Sequence, residues 1–287
     1  MTRAELIQQI FEKGTYLCVG LDTDPDKIPD HLKGRPDAVF EFNKAIIDAS
    51  LDHCVAYKIN TAFYEAQGLK GWEAMDRTVR YIPETHFRIA DAKRGDIGNT
   101  STQYAKAFFE AMPFDAITVA PYMGADSVQP FLAYENKWTI LLGLTSNPGA
   151  RDFELLNCSR SQHILVDGVH TQPTETGQLF EFVLRKGSEW GSAGNLMFVV
   201  GATQAEAFTR IRELAPDHFL LVPGVGAQGG SLKDISEKAL NQDCGLLVNA
   251  SRAIIYASEK EDFAQEAGAI AQQYAFEMKG YLSALSR

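Results

Sequence analysis

The chain has 287 residues, of which 45% are hydrophobic and 22% charged, and its formal net charge at pH 7 is −10. This length and composition suit either one large α/β barrel or two ordinary domains. The acidic balance argues against general binding to nucleic acid or to an anionic membrane, so an anionic ligand requires a locally positive site.

The first ten residues have the pattern of an amphipathic helix rather than of a signal peptide. Apolar stretches of the sequence are all too short to span a bilayer. Neither the six histidines nor the four cysteines, Cys18, Cys54, Cys158 and Cys244, show the spacing of metal ligands. We therefore predict a cytoplasmic protein with reduced cysteines, no metal site and no membrane contact.

Short apolar runs alternate with longer helical patterns along the chain. The runs predict eight strands, at residues 16–22, 55–60, 87–93, 116–122, 139–145, 196–202, 219–226 and 245–252. Amphipathic segments between or after them predict helices at residues 37–51, 71–81, 203–214 and 260–285. Eight successive strand–helix units indicate a (β/α)₈ TIM barrel, formed as a single domain by residues 1–287.

One interval between predicted strands is longer than the others. Residues 151–194 separate the fifth strand from the sixth. We predict that this enlarged segment after strand five adds extra helices or an extended loop, part of which covers the active site.

The most informative motif is the sequence Asp-Ala-Lys-Arg-Gly-Asp-Ile-Gly-Asn-Thr at residues 91–100. In a regular strand, Asp91 and Lys93 project from the same face, together with Ile89. Burying an ionised carboxylate costs several kcal/mol unless it is paired, so this strand is expected to end in a polar site. Asp96 lies five residues after Asp91, and this odd offset predicts that its side chain points away from that face.

Polar residues cluster at the carboxyl ends of the predicted strands, which is the face that carries the chemistry of a barrel. They are Asp22, Lys58, Asp91, Lys93, Thr145, Ser146, Gln228 and Arg252. The last two loops indicate a phosphate site, because residues 223–230 are glycine-rich and Ser251 with Arg252 adds a hydroxyl and a fixed positive charge.

These motifs together resemble orotidine 5′-monophosphate decarboxylases of the longer-chain bacterial type. The resemblance covers nearly the whole chain and rests on Gly20-Leu-Asp, Tyr57-Lys-Ile-Asn, Asp91-x-Lys-x-x-Asp-Ile-x-x-Thr, Ser146-Asn-Pro-Gly, residues 223–230 and Ser251-Arg252. It implies conversion of orotidine 5′-phosphate to uridine 5′-phosphate and CO₂, the last step of uridylate synthesis, without a cofactor.

The resemblance also implies a role for each matching residue. Lys93 donates the proton, within a charge network formed by Lys58, Asp91, Lys93 and Asp96. Family members are homodimers with shared active sites, to which the neighbouring subunit contributes Asp96 and Thr100. The implied substrate contacts are Asp22 and Lys58 with ribose hydroxyls, Thr100 with the ribose, Ser146 with the pyrimidine amide edge, and Gln228, Ser251 and Arg252 with the phosphate.

Two other functions remain open from the sequence. A Mg²⁺-dependent sugar-phosphate lyase of the same superfamily shares the Asp-x-Lys-x-x-Asp motif, although Lys58 would repel a metal at the second strand. A non-catalytic nucleotide-binding barrel is the other.

Simpler structural roles are also open for the individual residues. Asp91 and Lys93 could form a plain ion pair, Lys58 could reach solvent, and Asp96 could cap a helix. Asp22 and Ser146 could be turn residues, and Thr100 could belong to an ordinary first helical turn.

Overall fold

The structure is a computed structural model of the chain. It describes residues 1–161, 164–166, 169–171, 174–226 and 229–285, with the backbone alone for 164–166, 169–171 and 205.

Eight parallel strands form a closed barrel, which confirms the predicted fold. The strands described are β1 (Leu17–Gly20), β2 (Ala56–Asn60), β3 (Phe87–Arg94), β4 (Ala116–Val119), β5 (Trp138–Leu144), β6 (Asn157–Ser161), β7 (Ile164–Val166), β8 (Val169–Thr171), β9 (Thr174–Gln178), β10 (Leu196–Val200), β11 (Phe219–Pro223) and β12 (Leu246–Ala250). The barrel order is β1, β2, β3, β4, β5, β10, β11 and β12, and β12 pairs with β1 to close it. Each predicted strand overlaps one of these eight.

Helices surround the barrel, and all four predicted helices are found with ends shifted by a few residues. Those described are α1 (Arg3–Lys13), α2 (Ala38–Ser50), α3 (Thr61–Glu65), α4 (Leu69–Tyr81), α5 (Gly98–Lys106), α6 (Ala125–Leu132), α7 (Ala150–Phe153), α8 (Leu179–Trp190), α9 (Phe208–Leu214), α10 (Leu232–Ala239), α11 (Arg252–Ile255) and α12 (Phe263–Leu285). The predicted N-terminal helix is α1, which begins with a capping box formed by Thr2 and Glu5.

The enlarged segment after β5 adds one short extra helix, α7, as predicted, but its other additions are strands rather than helices or a loop. After the short helix α7, the chain forms two-stranded antiparallel sheets, β6 with β9 and β7 with β8, before the barrel helix α8. Within the described part of 151–194, no residue lines the cavity at the carboxyl ends of the barrel strands. The structure therefore gives no support to the predicted cover over the active site.

The interior of the barrel changes from aromatic to polar along its axis. Near the amino ends of the strands, the Trp138 ring packs edge-on against Phe87 and Phe219, with ring centroids 6.0 and 6.3 Å apart. Near the carboxyl ends, Lys58 and Asp91 occupy the interior instead. The aromatic side chains near the amino ends bury apolar surface and stabilise the barrel. The polar interior near the carboxyl ends is therefore available for a ligand.

His218 predicts a specific dependence of stability on pH. Its imidazole is buried against Phe198, and neither ring nitrogen has a hydrogen-bond partner within the described part of the chain. Burial, with a smaller contribution from Arg3, lowers the pKa of His218 from its ordinary 6.5 to about 4. As the pH falls from 6.5 to 4, the unfolded chain therefore binds a proton that the folded chain does not, and stability is lost.

We expect the His218→Phe variant to lose about 2 kcal/mol less of its unfolding free energy than wild type between pH 7 and about pH 4.5. Urea titrations at the two pH values measure this difference. His31→Phe, at an exposed histidine, is the matched control and should behave as wild type. Equal losses in wild type and His218→Phe would show that His218 is protonated in the folded state.

Candidate active site

A cavity of about 270 Å³ opens at the carboxyl ends of the barrel strands. The structure brings seven of the ten predicted site residues to its lining: Asp22, Lys58, Asp91, Lys93, Ser146, Ser251 and Arg252. They come from different strands or from the loops that follow them, which is how a parallel barrel assembles a site from distant parts of the sequence.

A continuous series of ion pairs forms one side of this cavity. The Lys58 Nζ atom lies 3.1 Å from Asp22 Oδ1 and 3.1 Å from Asp91 Oδ2. Asp91 in turn accepts a hydrogen bond from Lys93 Nζ through its other oxygen, at 2.6 Å. The side chain of Lys58 is 4% exposed and that of Lys93 is 50% exposed. The buried lysine is therefore held between two carboxylates, while the second ammonium group is accessible to a ligand.

The two buried members of this series are charged at neutral pH. Burial opposes ionisation of Asp91, but Lys58 and Lys93 outweigh it and hold the pKa of the carboxyl group below its ordinary value. Burial likewise opposes protonation of Lys58, but Asp22 and Asp91 outweigh it and raise the pKa of the ammonium group. The structural alternative in which Lys58 extends to solvent is wrong.

Strand β3 departs from a regular strand at the motif itself. Ala90 pairs with Ile117 on β4, but Arg94 pairs with Val119, so four residues of β3 match two of β4. Lys93 has a φ of 47°, in the left-handed region that residues with a Cβ rarely adopt. Its peptide N–H donates to Thr118 Oγ1 at 2.8 Å. The irregularity, rather than simple alternation, sets the position of Lys93.

Asp96 and Thr100 are not among the residues that line the cavity of their own chain. Asp96 Oδ1 accepts a hydrogen bond from the Ile97 N–H, and Ile97 rather than Asp96 is the N-cap of α5. Thr100 is exposed in the first turn of that helix. The argument from an odd offset along a strand does not apply to Asp96, because the chain between Asp91 and Asp96 is not a regular strand.

The loop that carries Ser146 is held by residues that sequence reasoning missed. Glu154 Oε2 accepts the Thr145 N–H at 2.6 Å, and Gln204 Nε2 donates to the Thr145 carbonyl at 3.1 Å. A Cβ on Gly201 would lie 2.5 Å from the Ser146 nitrogen, so only glycine allows this close approach. The position of Ser146 is therefore fixed from both sides.

Glycine-rich backbone and Arg252 form the opposite side of the cavity. Gly224 and Gly226 have φ values of 98° and 77°, which a residue with a Cβ would strain to adopt. Gly224 and the exposed side chain of Arg252 line the cavity. The Ser251 hydroxyl donates a hydrogen bond to the Gly20 carbonyl at 3.0 Å, so in this arrangement it does not donate to a ligand. Gln228 lies outside the described residues.

Four further polar residues line the cavity without having been predicted as site residues, and Asn147, which follows Ser146, is one of them. The other three are Asn60, Thr118 and Asn249. The Thr118 hydroxyl donates to Asp91 Oδ1 at 3.1 Å, so it supports the ion-pair series. Thr118 and Asn249 interrupt apolar strand sequences, and this is the same signal that identified Asp91. Glu154 gives no comparable signal, because it follows the short helix α7 rather than a strand.

The ionisable groups of this site suit an organic anion better than a metal ion. The ammonium group of Lys58 already occupies the space between the carboxylates of Asp22 and Asp91. Over the described ranges, groups of three or more His, Cys, Asp or Glu side chains suited to a metal are absent. A bound cation between these carboxylates would face a buried positive charge.

The chain is an eight-stranded parallel barrel in which the lysine–aspartate series lies opposite a glycine-rich loop and an arginine. This combination defines a class of barrel enzymes that bind small phosphorylated substrates. More narrowly, the chain belongs to the orotidine 5′-phosphate decarboxylase / HUMPS family, whose model matches residues 15–267. The family predicted from the sequence motifs is therefore confirmed.

Known proteins are similar to the chain over almost its full length. A curated protein from Phocaeicola vulgatus named orotidine 5′-phosphate decarboxylase is 54% identical over 282 residues, covering 97% of this chain and 98% of that protein. The solved OMP decarboxylase of Leishmania donovani has a TM-score of 0.76 at 33% identity and covers 96% of this chain and 99% of that chain. The UMP synthase of the same organism has a TM-score of 0.77 at 35% identity. That match covers 94% of this chain but 56% of the synthase.

Proposed function

We propose that the protein converts orotidine 5′-phosphate to uridine 5′-phosphate and CO₂. The single observation that carries this function is the series Asp22, Lys58, Asp91 and Lys93, which ends in an accessible ammonium group on the cavity. A curated relative named for this activity is 54% identical over nearly the whole chain. A non-catalytic barrel would have no need to hold two lysines and two carboxylates in this arrangement.

The proposed reaction uses Lys93 for two purposes. The bond between C6 of the pyrimidine and its carboxylate breaks, CO₂ leaves, and the electron pair stays on C6. The positive charge of Lys93 stabilises this carbanion more strongly than it stabilises the substrate, which lowers the barrier. Lys93 then transfers a proton from Nζ to C6 and recovers one from solvent, to which its side chain is half exposed.

The remaining substrate contacts follow from the two sides of the cavity. Gly224 and Arg252 lie opposite the ion-pair series, and we propose that they bind the phosphate together with Gln228 and Ser251. Asp22 and Lys58 bind the ribose hydroxyls, and Ser146 binds the amide edge of the pyrimidine. Binding energy at the phosphate, remote from C6, can then be used to align the reacting carbon.

We also propose a homodimer in which Asp96 and Thr100 complete the site of the neighbouring subunit. Both residues lie outside the cavity of their own chain, next to exposed apolar side chains. Ile97 follows Asp96 in the chain and is 56% exposed, and Met123, whose Cε atom lies 3.6 Å from the position of a Cβ on Gly95, is 44% exposed. Neighbouring apolar side chains of this kind are typical of a surface that a second subunit covers.

We also propose that the chain forms a single domain and that the protein is cytoplasmic. One cluster of buried hydrophobic residues extends from Leu6 to Leu282, which supports a single domain. All four cysteines are free, as expected for a protein of the reducing cytoplasm. The helices that the structure describes include none that is both long and apolar enough to cross a membrane.

An assay with orotidine 5′-phosphate tests the proposed function directly. We expect the pyrimidine absorbance of the substrate to decrease at the same rate before and after exhaustive treatment with EDTA, because Lys58 occupies the position between the carboxylates. No turnover at all would contradict the decarboxylase function. Turnover that EDTA abolishes and Mg²⁺ restores would favour a metal-dependent mechanism such as that of the sugar-phosphate lyases.

A further inference from the structure

A network of four buried polar side chains lies behind the loop that follows β1. Its members are Thr23 of that loop, Asn43 of α2, Tyr64 of α3 and Thr78 of α4, and each of them is fully buried. None of the four is among the residues that line the cavity. Any contribution of this network to the site therefore has to pass through a neighbouring residue.

Asn43 is the centre of the network and uses its whole side-chain amide. Its Nδ2 group donates to the Tyr64 hydroxyl at 2.9 Å and to Thr78 Oγ1 at 3.0 Å. Its Oδ1 atom accepts a hydrogen bond from the Thr23 hydroxyl at 2.6 Å. A buried polar network in which every member is satisfied holds its side chains in one arrangement.

The network reaches the backbone on both sides of Asp22. Leu21 precedes Asp22, and its carbonyl accepts a hydrogen bond from the Tyr64 hydroxyl at 2.9 Å. Thr23 follows Asp22 and donates to Asn43. Two consecutive peptide units, with Asp22 between them, are thus connected to the surrounding helices.

The carboxylate of Asp22 depends on the position of this backbone. Asp22 lies two residues beyond the end of β1, and Lys58 Nζ lies 3.1 Å from its Oδ1 atom. Its side chain lines the cavity and is 20% exposed, so it is accessible to a ligand. Tyr256 also donates to the Asp22 carbonyl, but at 3.2 Å, longer than any bond of the network. Because hydrogen bonds weaken steeply as their geometry departs from the optimum, a small shift of the loop would weaken a bond from a ligand to this carboxylate.

We propose that Thr23 and Tyr64 are positioning residues, which together with Asn43 hold Asp22 where it accepts a hydrogen bond from a ribose hydroxyl. This inference rests on the proposed function, in which Asp22 binds the ribose. It explains why the mainly apolar buried face of α2 contains Asn43, where a leucine of similar size would bury more apolar surface.

Two substitutions of equal shape separate positioning from stability. Thr23→Val removes the hydroxyl that donates to Asn43 Oδ1. Thr78→Val is the matched control, because it also removes one partner of Asn43 but keeps the bonds of Thr23 and Tyr64. We expect both variants to melt below the wild-type temperature, because each leaves one polar group of the buried Asn43 amide unpaired.

Calorimetry with uridine 5′-phosphate provides the binding readout. We expect Thr23→Val to raise the Kd about fivefold, and Thr78→Val to leave it unchanged. Thr23→Ser keeps the hydroxyl and should bind with the wild-type Kd. In an Asp22→Ala background, Thr23→Val should not raise the Kd further, because its effect passes through the carboxylate that is then absent.

Wild-type affinity in Thr23→Val, or an equal loss in Thr78→Val, would overturn the proposal. So would a further fivefold loss on top of Asp22→Ala, since the effect would then not pass through Asp22. If Thr23→Val does not fold, Tyr64→Phe takes its place, because it removes the bond to the Leu21 carbonyl.

The proposed function is tested separately by wild type. Wild type that neither binds uridine 5′-phosphate nor decarboxylates orotidine 5′-phosphate would overturn that function and this inference with it. Wild type that does both, while Thr23→Val binds equally well, would overturn this inference alone.

Discussion

Replacement of Lys93 by alanine is expected to abolish decarboxylation while leaving the binding of uridine 5′-phosphate within about tenfold of wild type. Lys93 contributes both the charge that stabilises the carbanion and the proton that follows. General acid catalysis contributes about 10²–10⁴-fold and preorganised charge about 10²–10³-fold, so we expect turnover to fall at least about 10⁴-fold. The product lacks the reacting carboxylate, so its binding depends mainly on the phosphate and ribose contacts.

The fold of the Lys93→Ala variant is expected to survive. Asp91 keeps Lys58 and Thr118 as partners, so the buried carboxylate is not left alone. The φ of 47° is no more costly for alanine than for lysine, because both have a Cβ. Single-turnover assays and calorimetry measure the two effects, with the distant exposed lysine in Lys106→Ala as the control. A variant that keeps a tenth of wild-type turnover would exclude Lys93 as the proton donor.

Much of the barrel could be predicted because its signals are local. Each parallel strand is buried on both faces and is read as a short apolar run, and charged or polar residues at its carboxyl end stand out against that run. Asp22, Lys58 and Asp91 belong to this group, and the structure joins them in one series of ion pairs. The predicted ends of the strands are less accurate than their positions, because the predicted first and last strands include polar residues that follow β1 and β12.

The features that the sequence did not predict depend on backbone geometry or on contacts between distant residues. The irregularity in β3 is set by pairing with β4 and by the bond from Lys93 to Thr118, neither of which appears as a periodic pattern. The role of Glu154 requires α7 to fold back toward Thr145. The hairpin after β5 did have a sequence signal, because Asp167-Gly168, a dipeptide favoured in two-residue hairpin loops, lies between β7 and β8.

Mixing two inactive variants is expected to restore activity if Asp96 acts in the neighbouring subunit. Lys93→Ala and Asp96→Ala homodimers should each be nearly inactive. A mixed dimer has one site that lacks both side chains and one site with Lys93 from one chain and Asp96 from the other. Random exchange makes half of the dimers mixed, so an equal mixture should recover about a quarter of the wild-type activity per site.

The measurement unfolds, mixes and refolds the two variants, confirms mixed dimers by capture of a tagged subunit, and assays turnover. The matched control mixes Lys93→Ala with the Lys93→Ala/Asp96→Ala double variant, for which no arrangement of subunits contains a complete site. Recovery in the first mixture alone would place Asp96 across the interface, as its position outside the cavity of its own chain leads us to expect. Mixed dimers without recovery would mean that Asp96 serves its own subunit or only the start of α5, and the shared site would have to be abandoned.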